Sequence, residues 1–197
     1  MLRSTLFFLA LVPFLAYANI HEDVLHDGPC PTPPAAKTDV QIDDITGRWL
    51  AVRSNYELLN DPWTRRECFE VEITKDGTSL LTTTRYRDPN TFAGLLNKKY
   101  VPVENDPGRF HAYKKNQLDG TYFPFDWTYS LIKVQGDVLL EYACKNTGNK
   151  HRSFWRTWAR HLPASQDEQE LVQIVKDNED SREMLPYIHT NCDYKLV

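Results

Sequence analysis

Between residues 47 and 160 the chain repeats one unit: a short β-prone run, then a tight turn. The runs cover residues 47–56, 67–74, 79–87, 91–103, 109–115, 122–134, 138–145 and 152–160. The second run shows the logic best. Phe69, Val71 and Ile73 alternate with Glu70 and Glu72, which is the period of a strand with one buried face. Lys75-Asp76-Gly77, Asp106-Pro107-Gly108, Asp119-Gly120 and Gln135-Gly136-Asp137 are turn signals, because such residues accept the backbone angles of hairpins. Asp88-Pro89-Asn90 is another. Strands spaced by roughly 8–14 residues and joined by short turns make an up-and-down antiparallel meander. Eight such strands can close on themselves around one ligand. The expected fold class is all-β: an eight-stranded up-and-down antiparallel β-barrel with one C-terminal helix.

The flanks read differently. Arg3, an apolar run from Leu6 to Leu15 and Ala16-Tyr17-Ala18 have the form of a secretory leader, so residues 1–18 are expected to be removed. The run is too short to cross a bilayer, and no later stretch is long and apolar enough. Residues 19–46 form a Pro-rich arm, whose Gly28-Pro29-Cys30-Pro31-Thr32-Pro33-Pro34 excludes a helix or a central strand. Residues 47–197 carry the barrel, a helix over about 166–178 and an irregular tail. Ser165 with Glu168 reads as a capping box, and Leu171, Ile174, Val175 and Val172 give the helix a narrow apolar stripe.

Composition excludes several classes. The net charge of −4, about −5 once Arg3 is removed with the leader, offers nothing to nucleic acid. Lys114-Lys115 and Arg65-Arg66 are the notable basic pairs and read as solvated surface. Cys30, Cys68, Cys144 and Cys192 all follow the leader, so an oxidising compartment makes them two disulfides. Spacing alone leaves three pairings open. No zinc spacing, phosphate loop or Ser/His/Asp set is present, and no Asn-X-Ser/Thr sequon occurs.

Gly47-Arg48-Trp49 opens the first run after a leader and a Pro-rich arm. Arg160 ends Phe-Trp-Arg-Thr-Trp-Ala-Arg just before the helix. In this order the chain resembles the lipocalin (calycin) family. The resemblance implies that Trp49, introduced by Gly47, plugs the closed end with Arg160 lying across it. Gly28-Pro29-Cys30-Pro31, Glu67-Cys68, Glu141-Tyr142-Ala143-Cys144 and a cysteine near the C-terminus are similar to the apolipoprotein D and bilin-binding branch. That branch implies the pairs Cys30–Cys144 and Cys68–Cys192. The chain departs from it at Lys133-Val134-Gln135, where the branch often has Thr-Asp-Tyr. A receptor-facing motif at the closed end loses support there.

The same resemblance turns Cys68 and Cys144 outward and their neighbours inward. The implied lining is Phe69, Val71 and Ile73, then Phe110 and Ala112, then Leu139, Glu141 and Ala143, then Phe154, Arg156 and Trp158. For residues 122–134 alternation favours Trp127, Tyr129 and Leu131, whereas family spacing favours Thr128 and Ser130. Trp63 falls in the long loop at the barrel mouth. His111 and His151 read as surface residues. The aromatic lining suits a flat hydrophobic molecule. Glu141 and Arg156, both inward on neighbouring strands, must pair or meet a polar ligand group.

The implied function is a secreted, extracellular carrier of a small hydrophobic ligand: a bilin or carotenoid pigment, a sterol, a retinoid or a fatty acid. Arg156 would hold a carboxylate or carbonyl of it. No metal or resident cofactor is implied, other than a bilin or similar ligand as cargo. A cell-surface receptor and a second copy of the chain are the further partners considered. The alternatives are an interaction or defence protein acting through its loops with an empty pocket, and an isomerase of the kind that uses a pocket cysteine. The four structural cysteines leave that isomerase no thiol, so the chain reads as a non-enzyme.

Overall fold

In the computed structural model the described residues are 25–32, 41–56, 66–88, 91–178 and 182–192. Elements are numbered in chain order: β1 (His26–Asp27), α1 (Ile42–Ile45), β2 (Gly47–Ser54), β3 (Glu67–Asp76), β4 (Ser79–Asp88), β5 (Thr91–Val103), β6 (Asp106–Lys115), β7 (Tyr122–Gln135), β8 (Val138–Thr147), β9 (Lys150–Ala159), α2 (Asp167–Asp177) and β10 (Leu185–Pro186). The eight long strands β2 to β9 pair antiparallel in sequence order, and β9 returns to β2 to close the barrel. The expected architecture is the one observed. β6 starts at Asp106, three residues earlier than residue 109 where the sequence pattern began, because Asp106 pairs with Val103 across the turn.

Alternation sorts the side chains. On β3, Phe69, Val71 and Ile73 are buried inside, while outward Glu70 is buried by Arg48 at 2.7 Å and Arg85 at 3.4 Å. On β8 every residue from Val138 to Cys144 is buried. Its inward face lines the barrel. Its outward face carries Val138, Leu140 and Tyr142, which pack with Leu171 and Val175 of α2 and with Trp155. A strand covered on both faces is continuously apolar, and this is why α2 needs only one apolar stripe.

The start of α2 departs from the expected capping box. Gln166 occupies the cap position and makes no side-chain cap bond, and Ser165 Oγ is buried without a partner. The Glu168 carboxylate instead accepts from Thr157 Oγ1 at 2.9 Å and lies 3.4 Å from Arg53 Nε. Tertiary packing thus took the residue that local capping wanted: Glu168 anchors the helix to β9 and β2.

Both disulfides form as the resemblance implied, Cys30–Cys144 and Cys68–Cys192. The first fastens the arm across β8. There β1 pairs with β9, and His151 is buried beneath the arm, stacked on His26 with Nδ1 3.0 Å from the Gly28 carbonyl oxygen. His151 is therefore an arm contact rather than a surface residue, whereas His111 is exposed. The second disulfide holds the tail. Leu185 and Pro186 pair with Ser54 and Arg53 of β2, and Cys68 N donates to Ile188 O at 2.8 Å. The tail is thereby wedged between β2 and β3 where these strands splay apart, and Tyr187 is buried against Phe69. Residues 1–18, residues 19–24 and 33–40 of the arm, and Trp63 lie outside the described residues.

Candidate functional site

One end of the barrel is closed. Ile45, from the single turn α1, and Trp49 are almost fully buried, and Trp49 Nε1 donates to Ile45 O at 2.9 Å. The Arg160 guanidinium lies 3.8 Å from the centre of the Trp49 ring. Its Nη1 and Nη2 donate to the carbonyls of Thr46, at 2.6 Å, and Asp44, at 2.9 Å. Gly47 adopts φ +91°, and a Cβ built there would stand 3.1 Å from Arg160 Nη1. A residue without a side chain is what lets the chain turn under the arginine. α1 had no expectation in the sequence reading; with Ile45 it supplies the floor on which the plug rests.

Above the floor is a cavity of about 470 Å³. Phe69, Val71, Phe110, Trp127, Tyr129, Glu141, Phe154, Arg156 and Trp158 all line it, so nine of the sequence-derived candidates meet around one space. Trp127, Tyr129 and Leu131 face inward, resolving the ambiguity of β7 in favour of alternation. Thr128 and Ser130 face outward under the arm, beside Cys30 and Cys144. A register shift between Leu131 and Lys133 ends the alternation there; that bulge is what strict spacing along β7 fails to count.

The charged pair is real and well supported. Arg156 Nη1 lies 3.5 Å from Glu141 Oε2, and Trp158 Nε1 donates to the same oxygen at 3.1 Å. Arg156 Nε donates to Tyr187 Oη at 3.1 Å, so the tail reaches into the interior. The rings of Phe69, Phe154 and Trp158 lie 4.6–5.1 Å from the guanidinium carbon. Burial acts to lower the pKa of Arg156, but Tyr187, Glu141 and Tyr129 outweigh it and hold the group above its ordinary value. Among the described residues Nη2 has no hydrogen-bond partner, so this arginine has a donor to spare.

Sequence reasoning missed the group opposite. Lys98 on β5 lines the cavity, is 8% exposed, and its Nζ donates to Tyr129 Oη at 2.9 Å. Aromatic faces surround it, with Tyr129 at 4.8 Å and Phe125 at 5.0 Å. Its register partners are Thr82 on β4 and Lys114 on β6, so two lysines stand directly opposite each other on one face. Like charges so placed destabilise a sheet. Burial pushes the Lys98 amine down to about 7; Glu141 opposes this, and Arg156, Arg66 and Lys114 add to it. Burial also raises the pKa of Tyr129 and Tyr100 on the same wall. Arg66 and Lys114 belong to the cavity lining, which corrects their reading as solvated surface. The signal for Lys98 was the alternation Leu96, Lys98, Tyr100 on β5, which places the lysine between two inward residues. Tyr187 had no local signal, since only the tail's insertion brings it inside.

By sequence the chain matches no protein-family model and no curated protein. Its fold does match solved structures. Insecticyanin from the tobacco hornworm Manduca sexta aligns with a TM-score of 0.67 at 13% identity, over 88% of this chain and 94% of that one. H1 crustacyanin from the lobster Homarus americanus aligns at 0.58 and 14% identity, over 86% and 92%. The siderocalin Ex-FABP, described as having dual ligand specificities, aligns at 0.56 and 10% identity, over 78% and 98%. The closed eight-stranded barrel with a single C-terminal helix is the lipocalin fold.

Proposed function

We propose that this chain is a secreted carrier of a small hydrophobic molecule with a polar or acidic end, held in the barrel cavity. The observation that carries the proposal is the composition of the cavity wall. Aromatic rings supply large apolar contact. Against them stand one carboxylate, Glu141, and the basic groups Arg156, Arg66, Lys98 and Lys114. Such a wall fits a cargo that is mostly apolar but ends in oxygen, with Arg156 Nη2 as the donor to that oxygen. The ligand-carrying character of the siderocalin and the pairing of all four cysteines support the reading. A place in the apolipoprotein D and bilin-binding branch rests on the cysteine pattern, and it favours a pigment over a sterol, retinoid or fatty acid.

The test is the protein from its natural source: an ultraviolet–visible spectrum, then mass spectrometry of a solvent extract. A co-purifying apolar molecule with a carboxylate or carbonyl is expected. Affinity for it should fall about tenfold or more in Arg156→Leu, since a charged hydrogen bond contributes about 1.5–3 kcal/mol. A second reading, interaction through the loops, has one observation in its favour. Leu118 is 97% exposed at the tip of the β6–β7 hairpin, and Phe123 at the start of β7 is half-exposed. That reading requires a preparation with no extractable ligand and no response of the cavity tryptophans to any added apolar molecule.

A further inference from the structure

We propose that Lys98 is a covalent docking point for carbonyl cargo: its side-chain amine condenses with an apolar aldehyde to form an imine inside the barrel. The proposal rests on the carrier reading and names a ligand class for it. Four observations lead there. Lys98 is buried in the cavity wall rather than at its rim. Among the described residues no carboxylate is in hydrogen-bond contact with it; its partner is the phenol of Tyr129. The groups facing it from the other strands are Glu141 on β8, Arg156 on β9, Lys114 on β6 and, just before β3, Arg66, three cations against one anion. Burial and those cations leave about half the amine uncharged near pH 7.

An uncharged amine in an apolar pocket is a nucleophile towards carbonyl carbon. The nitrogen lone pair attacks the aldehyde carbon, and the C–N bond forms. The resulting carbinolamine loses water, which carries off the carbonyl oxygen and the two amine hydrogens. No oxidant or reductant is needed, and hydration reverses the step. Tyr129, whose phenol burial keeps protonated, stands at the nitrogen as a hydrogen-bond partner. If the imine takes up a proton, Glu141 is the anion of the same cavity that balances it. An ordinary lysine of pKa about 10.4 is uncharged in roughly one molecule in 2,500 at pH 7. The uncharged fraction of Lys98 is therefore about a thousandfold that of a surface lysine at that pH.

The test uses the secreted protein at pH 7 with all-trans-retinaldehyde as the aldehyde probe, all-trans-retinol as its non-condensing match, and cyanoborohydride to trap imine. Expected is a single adduct heavier than the protein by the aldehyde less one oxygen, mapped by proteolysis to Lys98. Labelling there should exceed that of any other lysine by a hundredfold or more. Lys98→Met and Lys98→Arg should lose the adduct. If both probes quench but trapped label is absent or spread over surface lysines, the imine is overturned and carriage stands. If neither probe binds, the carriage reading fails for this ligand class and the imine fails with it. Because the adduct is mapped on the parent protein, the result does not depend on the variants folding.

Discussion

Replacing Lys98 by Met should flatten the rise of stability between pH 7 and pH 9. In the folded protein the amine titrates at about 7, against an ordinary value of 10.5. Between those two values the unfolded chain binds one proton that the folded chain does not. The slope of unfolding free energy with pH is then positive, about 1.4 kcal/mol per pH unit. Near pH 7 the folded amine is half protonated and the slope is smaller. Integration from pH 7 to pH 9 gives about 2 kcal/mol of stability that wild type gains and Lys98→Met does not. For a barrel of this size that is a relative shift in Tm of roughly 4–8 °C. The window is well isolated. His189, whose pKa burial lowers, acts below pH 7, and Tyr100 and Tyr129, raised by burial, act only above pH 10, where they reduce stability. Guanidinium unfolding of both proteins at the two pH values, disulfides intact, provides the measurement. Parallel changes in wild type and variant would refute the claim that Lys98 is buried and that burial lowers its pKa.

Three further perturbations probe the frame around the cavity. Arg160→Leu removes the cation over Trp49 and the bonds to Thr46 and Asp44, and should lower stability by about 2–3 kcal/mol in denaturant unfolding. Joint replacement of Cys68 and Cys192 by Ala removes a link spanning 124 residues and should lose about 2–4 kcal/mol. Hydrogen exchange should quicken at the amides of Cys68 and Tyr187, whose acceptors lie across the tail's seam, before the rest of the barrel. Gly94→Ala would set a Cβ 2.2 Å from the ring of its cross-strand partner Tyr86. It should lower stability by about 1–3 kcal/mol and weaken binding of any cavity ligand, read as a fall in denaturation midpoint and in affinity.

The sequence made the barrel legible because hairpin chemistry and period two are local. Asp76-Gly77 and Gln135-Gly136 turn the chain where a turn is needed, and Phe69, Val71 and Ile73 face one way whatever the tertiary context. The site was legible wherever an outward anchor was recognised. Cys68 and Cys144 placed Phe69 and Glu141 inside. Arg160 did the same for Arg156 and Trp158. What escaped depends on distant contacts. β5 has no such anchor, so nothing in the sequence assigned Lys98 or Lys99 to a face; Lys98 points inward and Lys99 reaches outside to Asp76 at 2.9 Å. Glu168 looked like a cap until Thr157 and Arg53 claimed its carboxylate. Tyr187 enters only because β2 and β3 splay and a disulfide holds the tail in the gap.

The interior polar groups bear on why the cavity exists. A barrel selected for stability alone would fill this space with aliphatic side chains, since packed hydrophobes commonly equal or exceed a buried ion pair. Here the wall instead holds Glu141 against Arg156, four aromatic rings around that arginine, and a lysine that folding half discharges at neutral pH. Each feature opposes folding unless it is compensated, and the compensation is incomplete, as Arg156 Nη2 and the amine of Lys98 show. Local violations of packing logic, gathered around one enclosed space, are what a binding site looks like in physical terms. A ligand whose aldehyde carbon condenses with Lys98 and whose second oxygen meets Arg156 would satisfy both residues at once, so binding of such a cargo should raise Tm far more in wild type than in Lys98→Met.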